Sequence, residues 1–235
     1  MARARHPRYH DNRRELTDLM RDPWAIACQS TSSLAIIHTG TGTISSITSP
    51  SVDTTPDNRF LCEVVACHAA LGIPRDYALT RSLPLETPPP FWIEDGMDLQ
   101  GRPVRLAPEA SRAFRALVDA ARDAGFVPVV VSSYRSLAHQ ARLVRQALDR
   151  GQPLEGVLRR IAPPGFSEHH SGRAVDLSVA GEREPLTEAF EDTAFYRWLG
   201  ERAGGFGFRL SYPRNNRAGF IYEPWHWAYR ADPTA

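Results

Sequence analysis

Changes of hydrophobic period divide this chain. From Arg59 to Leu71 the apolar residues Phe60, Leu61, Val64, Val65, Ala69 and Leu71 fit a short amphipathic helix, and Gly72 and Pro74 supply the stop just beyond it. The run through Pro84 and Pro88-Pro89-Pro90 cannot continue a helix, because proline lacks the backbone donor, and it reads as an extended connector. Pro108 opens the clearest helix, with Ala110, Phe114, Leu117, Val118 and Ala121 on one face and Gly125 closing it. Phe126 to Ser132 is a β-branched run and predicts a buried strand. Leu137 to Asp149 returns to helical spacing, and Leu154 to Arg160 adds another turn or two.

The second half switches period. Arg173 to Val179 alternates, placing Val175, Leu177 and Val179 on one strand face and Ala174, Asp176 and Ser178 on the other. A helix follows around Ala194 to Arg202, and Phe206–Leu210 and Gly219–Arg230 read as further strands. Helices preceding a small antiparallel sheet make the class α+β. Residues 1–57 stand apart: a basic opening leads into a Ser/Thr-rich stretch with one short apolar piece, Leu34 to Ile37. That composition struggles to bury a core. The expected organisation is therefore a poorly ordered extension over 1–57, a helix and proline-rich lead-in over 58–105, and a catalytic domain over 106–235, with no internal repeat.

Composition narrows the function classes. The 235 residues carry a net charge of +1, so nothing directs the chain to nucleic acid or to an anionic membrane. No apolar run approaches the roughly 20 residues that span a bilayer. The charged start leads into Asp11, Arg13, Arg14 and Glu15 rather than an apolar signal core, and the lipobox-like Ala25-Ile26-Ala27-Cys28 is preceded by Asp22 and Pro23. Three cysteines, Cys28, Cys62 and Cys67, form no disulfide framework. Cys62 and Cys67 lie too far apart around a helix to share an ion with His68, and read as ordinary semi-buried residues.

Two clusters carry chemistry. In Ser167-Glu168-His169-His170-Ser171-Gly172-Arg173-Ala174-Val175-Asp176, the Asp176 carboxylate points away from the packed strand face, into a cleft, and His169 lies before a glycine that lets the chain fold back toward it. Histidine nitrogen and carboxylate oxygen are both good zinc ligands. In Tyr222-Glu223-Pro224-Trp225-His226-Trp227, His226 offers a third ligand and Glu223 lies where it can reach a water without binding the metal. Three protein ligands with one open position mark a catalytic zinc site, where a water becomes acidic and a carboxylate takes its proton. Singly, each residue has an ordinary structural reading; together the clusters are specific. His170 and His139 are read as bystanders, and Trp225 and Trp227 as packing rather than a sugar platform.

The Ser-x-His-x-x-Gly-x-Ala-x-Asp and Glu-x-x-His-Trp patterns resemble those of VanY-type D-alanyl-D-alanine carboxypeptidases, in the superfamily that includes lysostaphin-type peptidases and the hedgehog signalling domain. Ser133-Tyr134-Arg135-Ser136 with Gln140, Ala162 to Phe166, and Gly207 to Pro213 agree with it, so the resemblance covers about Leu106 to Tyr229. It implies a hedgehog/D-Ala-D-Ala peptidase-like fold and Zn2+ held by His169, Asp176 and His226, with Glu223 as catalytic base. It further implies that Arg135 stabilises the polarised carbonyl and that Gln140, Ser167 and Tyr212 hold the peptide. A fixed guanidinium beside a developing oxyanion suits the first of these roles.

The expected reaction is removal of the terminal D-amino acid from peptidoglycan stem peptides. An L,D-carboxypeptidase, a D,D-dipeptidase and a peptidoglycan endopeptidase use the same site with a different cut. A non-catalytic binding module is the reading from another class, which the presence of every expected ligand and of the base disfavours. The substrate calls for the periplasm or cell envelope, yet no export signal is legible, so work inside the cell on dipeptides or recycled fragments stays open. Oligomeric state is not legible.

Overall fold

The computed structural model of the protein describes residues 56–230, so the readings made on residues 1–55, including the Leu34–Ile37 strand and Cys28, lie outside the described residues. Helix α1 (Pro56–Leu71) ends where expected, through a two-bond glycine stop. Gly72 turns at φ 70°, its N–H reaches Ala69 O at 3.3 Å, and the next N–H, of Ile73, reaches His68 O at 3.0 Å. The one-turn helix α2 (Tyr77–Thr80) and helix α3 (Pro108–Asp123) follow, α3 with proline in its first turn, where the missing donor costs nothing. Helices α4 (Leu137–Asp149), α5 (Leu154–Leu158) and α6 (Ala194–Arg202) sit where the helical spacing placed them.

The connector reading holds only as far as Trp92. Beyond it a hairpin forms from β1 (Ile93–Met97) and β2 (Pro103–Leu106), paired antiparallel, which the sequence did not announce. Its turn is built by a side chain: Asp98 Oδ1 accepts from Gln100 N–H and Arg102 N–H, each at 2.9 Å. The tip is seated on a neighbouring strand, because Leu99 N–H donates to Val130 O at 2.8 Å.

That neighbour is β3 (Pro128–Ser132), an edge of an antiparallel sheet in the order β3-β4-β6-β5, with β4 at Ala174–Val179, β5 at Phe208–Leu210 and β6 at His226–Tyr229. Two strands are shorter than their hydrophobic pattern. Phe206 closes a 3₁₀ turn and Gly207, at φ 78°, redirects the chain before β5. Residues 219–225 do not pair as a strand; Asn216 Nδ2 ties Phe220 O at 2.8 Å, and Pro224 has no donor to give a ladder.

One face of β4 packs as its pattern requires. Val175 and Leu177 join Phe114 and Leu117 of α3, Phe195 and Leu199 of α6, Phe208 and Trp227 in the main core. The opposite face differs from the expectation of an open cleft wall, since Ala174, Asp176 and Ser178 are buried too. A smaller cluster joins Leu71 and Ile73 to Val144, Ala147, Val157 and Leu158, and another joins Val64 to Ala78 and Phe166. The lead-in thus packs against α4, α5 and the segment entering the first chemical cluster.

Candidate metal and active site

The sheet itself brings two candidate ligands together. In the β4–β6 ladder Asp176 lies directly opposite His226, and cross-strand partners share a face with Cβ atoms about 5 Å apart. His226 Nδ1 stands 2.9 Å from Asp176 Oδ1. The third comes from a 3₁₀ turn, Glu168–Ser171, that precedes β4. Gly172 ends that turn at φ 65°, and its Cα sits so close to the chain before α3 that a Cβ would lie 2.9 Å from Ala107 N. Only glycine fits there. The turn places His169 Nε2 3.2 Å from Asp176 Oδ2, and one ligand atom from each of His169, Asp176 and His226 lies within 4.8 Å of the others.

Hydrogen bonds behind the rings decide which atoms face inward. His169 Nδ1 lies 2.7 Å from Ser133 O, a pure acceptor, so this nitrogen carries the proton. Nε2 is then a buried lone pair without a hydrogen-bond partner among the described residues, turned toward a carboxylate oxygen. Two acceptors face to face are an arrangement that a cation stabilises. The set fits a metal, and two histidines plus one carboxylate suit zinc with an open position. Burial and the Arg135 charge hold His169 down to about 4, so it stays neutral and available. Burial opposes charge on Asp176, but His169 and Arg135 keep its carboxyl well below the ordinary range. Burial likewise opposes charge on His226, yet its bonds to Asp176 and Glu168 prevail and push it up to about 10 in the metal-free protein.

Arg135, Glu223 and Tyr212 fall around this centre. Arg135 donates through Nη2 to Asp176 Oδ2 and through Nε to Ser132 Oγ at 2.8 Å, so its guanidinium rests on a ligand at the edge of the site. Glu223 is half-buried on the turn before β6. Burial pushes its pKa up to about 7, with His226 opposing and Asp176 adding. The Tyr212 ring stacks on His226, centroids 4.7 Å apart. Gln140 Nε2 donates to Ala162 O at 2.8 Å, while its buried Oε1 has no partner among the described residues. Ser167 is buried at the head of the 3₁₀ turn, its carbonyl accepting from His170 N–H at 2.9 Å.

The bystanders have identifiable work. His170 accepts from Gly165 N–H at Nε2, 3.0 Å, and contacts Arg135 O through Nδ1 at 2.6 Å, so both ring nitrogens are used away from the centre. His139 lies half-buried in the first turn of α4, outside the cluster, its N–H capped by Ser136 Oγ at 3.2 Å. Cys62 and Cys67 are free and partly buried, and His68 Nε2 lies 2.8 Å from Pro164 O. Trp225 and Trp227 belong to the main core.

Two carboxylates were not singled out from sequence. Glu168 reaches His226 Nε2 at 2.8 Å and also takes the Arg230 guanidinium. Its position beside His169 was the only available signal. Glu86, from the lead-in, is buried nearby; burial, aided by the Glu168 charge, raises its pKa to about 7. Nothing in the surrounding prolines points to it.

Known proteins share this arrangement of sequence. The family model VanY, D-alanyl-D-alanine carboxypeptidase, matches residues 103–232, more than half of the 235. YodJ of Bacillus subtilis (strain 168), provisionally named a carboxypeptidase, is 36% identical over 126 residues, 52% of this chain and 45% of that protein. A D-alanyl-D-alanine carboxypeptidase of Enterococcus faecalis (strain ATCC 700802 / V583) is 32% identical over 136 residues, 54% of this chain and 47% of that protein. The chain therefore spans about half the length of these curated relatives. Among solved structures, the LdcB LD-carboxypeptidase superposes with a TM-score of 0.56 at 30% identity, covering 64% of this chain and 73% of that one.

Proposed function

The chain belongs to the VanY family of D-alanyl-D-alanine carboxypeptidases, and from that premise we propose that it is a zinc-dependent carboxypeptidase that removes the terminal D-amino acid from peptidoglycan stem peptides. The observation that carries this reading is the buried His169–Asp176–His226 cluster, whose donor atoms converge with the His169 lone pair unpartnered among the described residues. His169 Nε2, Asp176 and His226 Nδ1 would hold the ion. Zinc in such a site supplies Lewis acidity toward a carbonyl and brings the pKa of a water to about 7.

The protein's own groups supply the rest. Glu223 stands half-buried beside the cluster with a pKa near neutrality, and a cation close by favours its ionised form. It acts as the base that takes a proton from the attacking water and returns it to the leaving amine. Arg135, held at Nε by Ser132, turns its remaining donors to the carbonyl oxygen as negative charge grows there. Gln140, Ser167 and Tyr212 match family positions that hold the peptide, and the buried Gln140 Oε1 is an acceptor without a partner among the described residues. Residues 106–235 are the catalytic domain in this reading, with the lead-in packed against its described part.

A second cut is favoured by one observation, the likeness to the LdcB LD-carboxypeptidase. The deciding measurement is D-alanine release from a muramyl pentapeptide and from the corresponding tetrapeptide, with zinc and after chelation. Chelator-sensitive release from the pentapeptide is the expected result. Release from the tetrapeptide alone assigns the L,D cut, and failure to release from either sinks the carboxypeptidase reading.

A further inference from the structure

The chemistry above leaves Glu168 unused, although it is buried and spends both oxygens: one at 2.8 Å from His226 Nε2, the other on Arg230. We propose that Glu168, pinned by Arg230, is the positioning residue that sets the tautomer and orientation of the His226 ring for the metal. This rests on the reading of His169, Asp176 and His226 as metal ligands.

The reason lies in a competition for one proton. A metal-ligating imidazole keeps a single N–H, and His226 has a carboxylate oxygen at each nitrogen, Asp176 Oδ1 at 2.9 Å from Nδ1 and Glu168 Oε2 at 2.8 Å from Nε2. If Asp176 wins, the proton sits on Nδ1, where the ion must bind. If Glu168 wins, Nδ1 presents its lone pair toward Asp176 and His169. Rotation of the ring forfeits both bonds, and Tyr212 stacked on its face opposes tilting. Arg230 holds Glu168 in place at its second oxygen, so the accepting oxygen stays in register with Nε2. His169 follows the same design with Ser133 O behind Nδ1. One short turn, Glu168–Ser171, thus delivers a ligand and, one residue earlier, the brace for a ligand 58 residues away.

The test uses the full chain and reads zinc affinity by competition with a chromophoric chelator, together with the 15N shifts of the His226 ring. Glu168→Ala is expected to weaken zinc binding ten- to a hundredfold, as loss of an outer partner of a ligating histidine does, and to lose the Nε2–H signature. Should Glu168→Ala fail to unfold cooperatively, Glu168→Gln carries the test. Its NH2 must face either Arg230 or His226, so one contact is lost and affinity falls. Zinc affinity within about twofold of wild type in a folded variant, or an unchanged Nε2–H signature, overturns the proposal. Wild-type protein that binds no zinc overturns the metal reading along with it, so the two failures are told apart.

Discussion

Glu223 serves the proposed chemistry without sharing in metal binding, so the two properties separate at that residue. Glu223→Ala is expected to keep zinc, read by chelator competition, while D-alanine release falls on the order of 10²- to 10⁴-fold; undiminished hydrolysis removes it from the role. Asp176→Ala, by contrast, is expected to lose zinc in the same competition. His68, remote from the centre, gives a pH test. Burial lowers its pKa below the ordinary value of 6.5 despite the Pro164 carbonyl. Its contribution to stability is therefore fully present above about 6.5 and is lost as pH falls, because the unfolded chain binds the extra proton. Urea titrations of chelated protein at high and low pH should show a smaller loss in His68→Gln than in wild type, and equal losses would refute it. At this scale, the His169, Asp176 and His226 set was legible because each lies in a short local pattern. Glu168 and Glu86 were not, because what gives them meaning is a partner distant in sequence: Glu168 meets His226 58 residues away.

Among elements, the 162–172 segment is shaped by what packs on it. Gly165 turns at φ 89°, and a Cβ there would collide with Val64 Cγ2 on α1. Gly165→Ala should destabilise the protein by about 1–3 kcal/mol through its backbone alone, with more from the clash. Adding Val64→Ala should restore only the clash component, and a strictly additive double-mutant cycle in thermal unfolding would rule the contact out. Helices were read nearly to the residue, since α3 and α4 each show an apolar stripe and α3 a proline start and glycine stop. The β1–β2 hairpin escaped notice because its turn is made by the Asp98 side chain, and because its strands lack alternation: Ile93-Glu94-Asp95-Gly96-Met97 reads as loop. The polar face of β4 was misjudged as open for a related reason. Alternation tells which side chains share a face, not what covers it, and the His169 turn that covers this one precedes it in the chain.

For the whole molecule, the lead-in is the surprise. The family match begins at residue 103, yet Leu71 and Ile73 fill a cluster with Val144, Ala147, Val157 and Leu158, and Val64 packs on Phe166. A chain begun at residue 103 should melt at a lower temperature than one begun at residue 56, because it uncovers those side chains, at roughly 25 cal/mol for each Å² exposed; equal melting curves would contradict this packing. The facing positions of Asp176 and His226 have another consequence at this scale. The two residues are 50 apart in the chain and stand on adjacent central strands. An ion bridging them would tie off that length of chain as a covalent crosslink does, and would need the strands in register. Ion binding would then check the register: a one-residue slip of β6 against β4 turns His226 to the face opposite Asp176, and the ligands part.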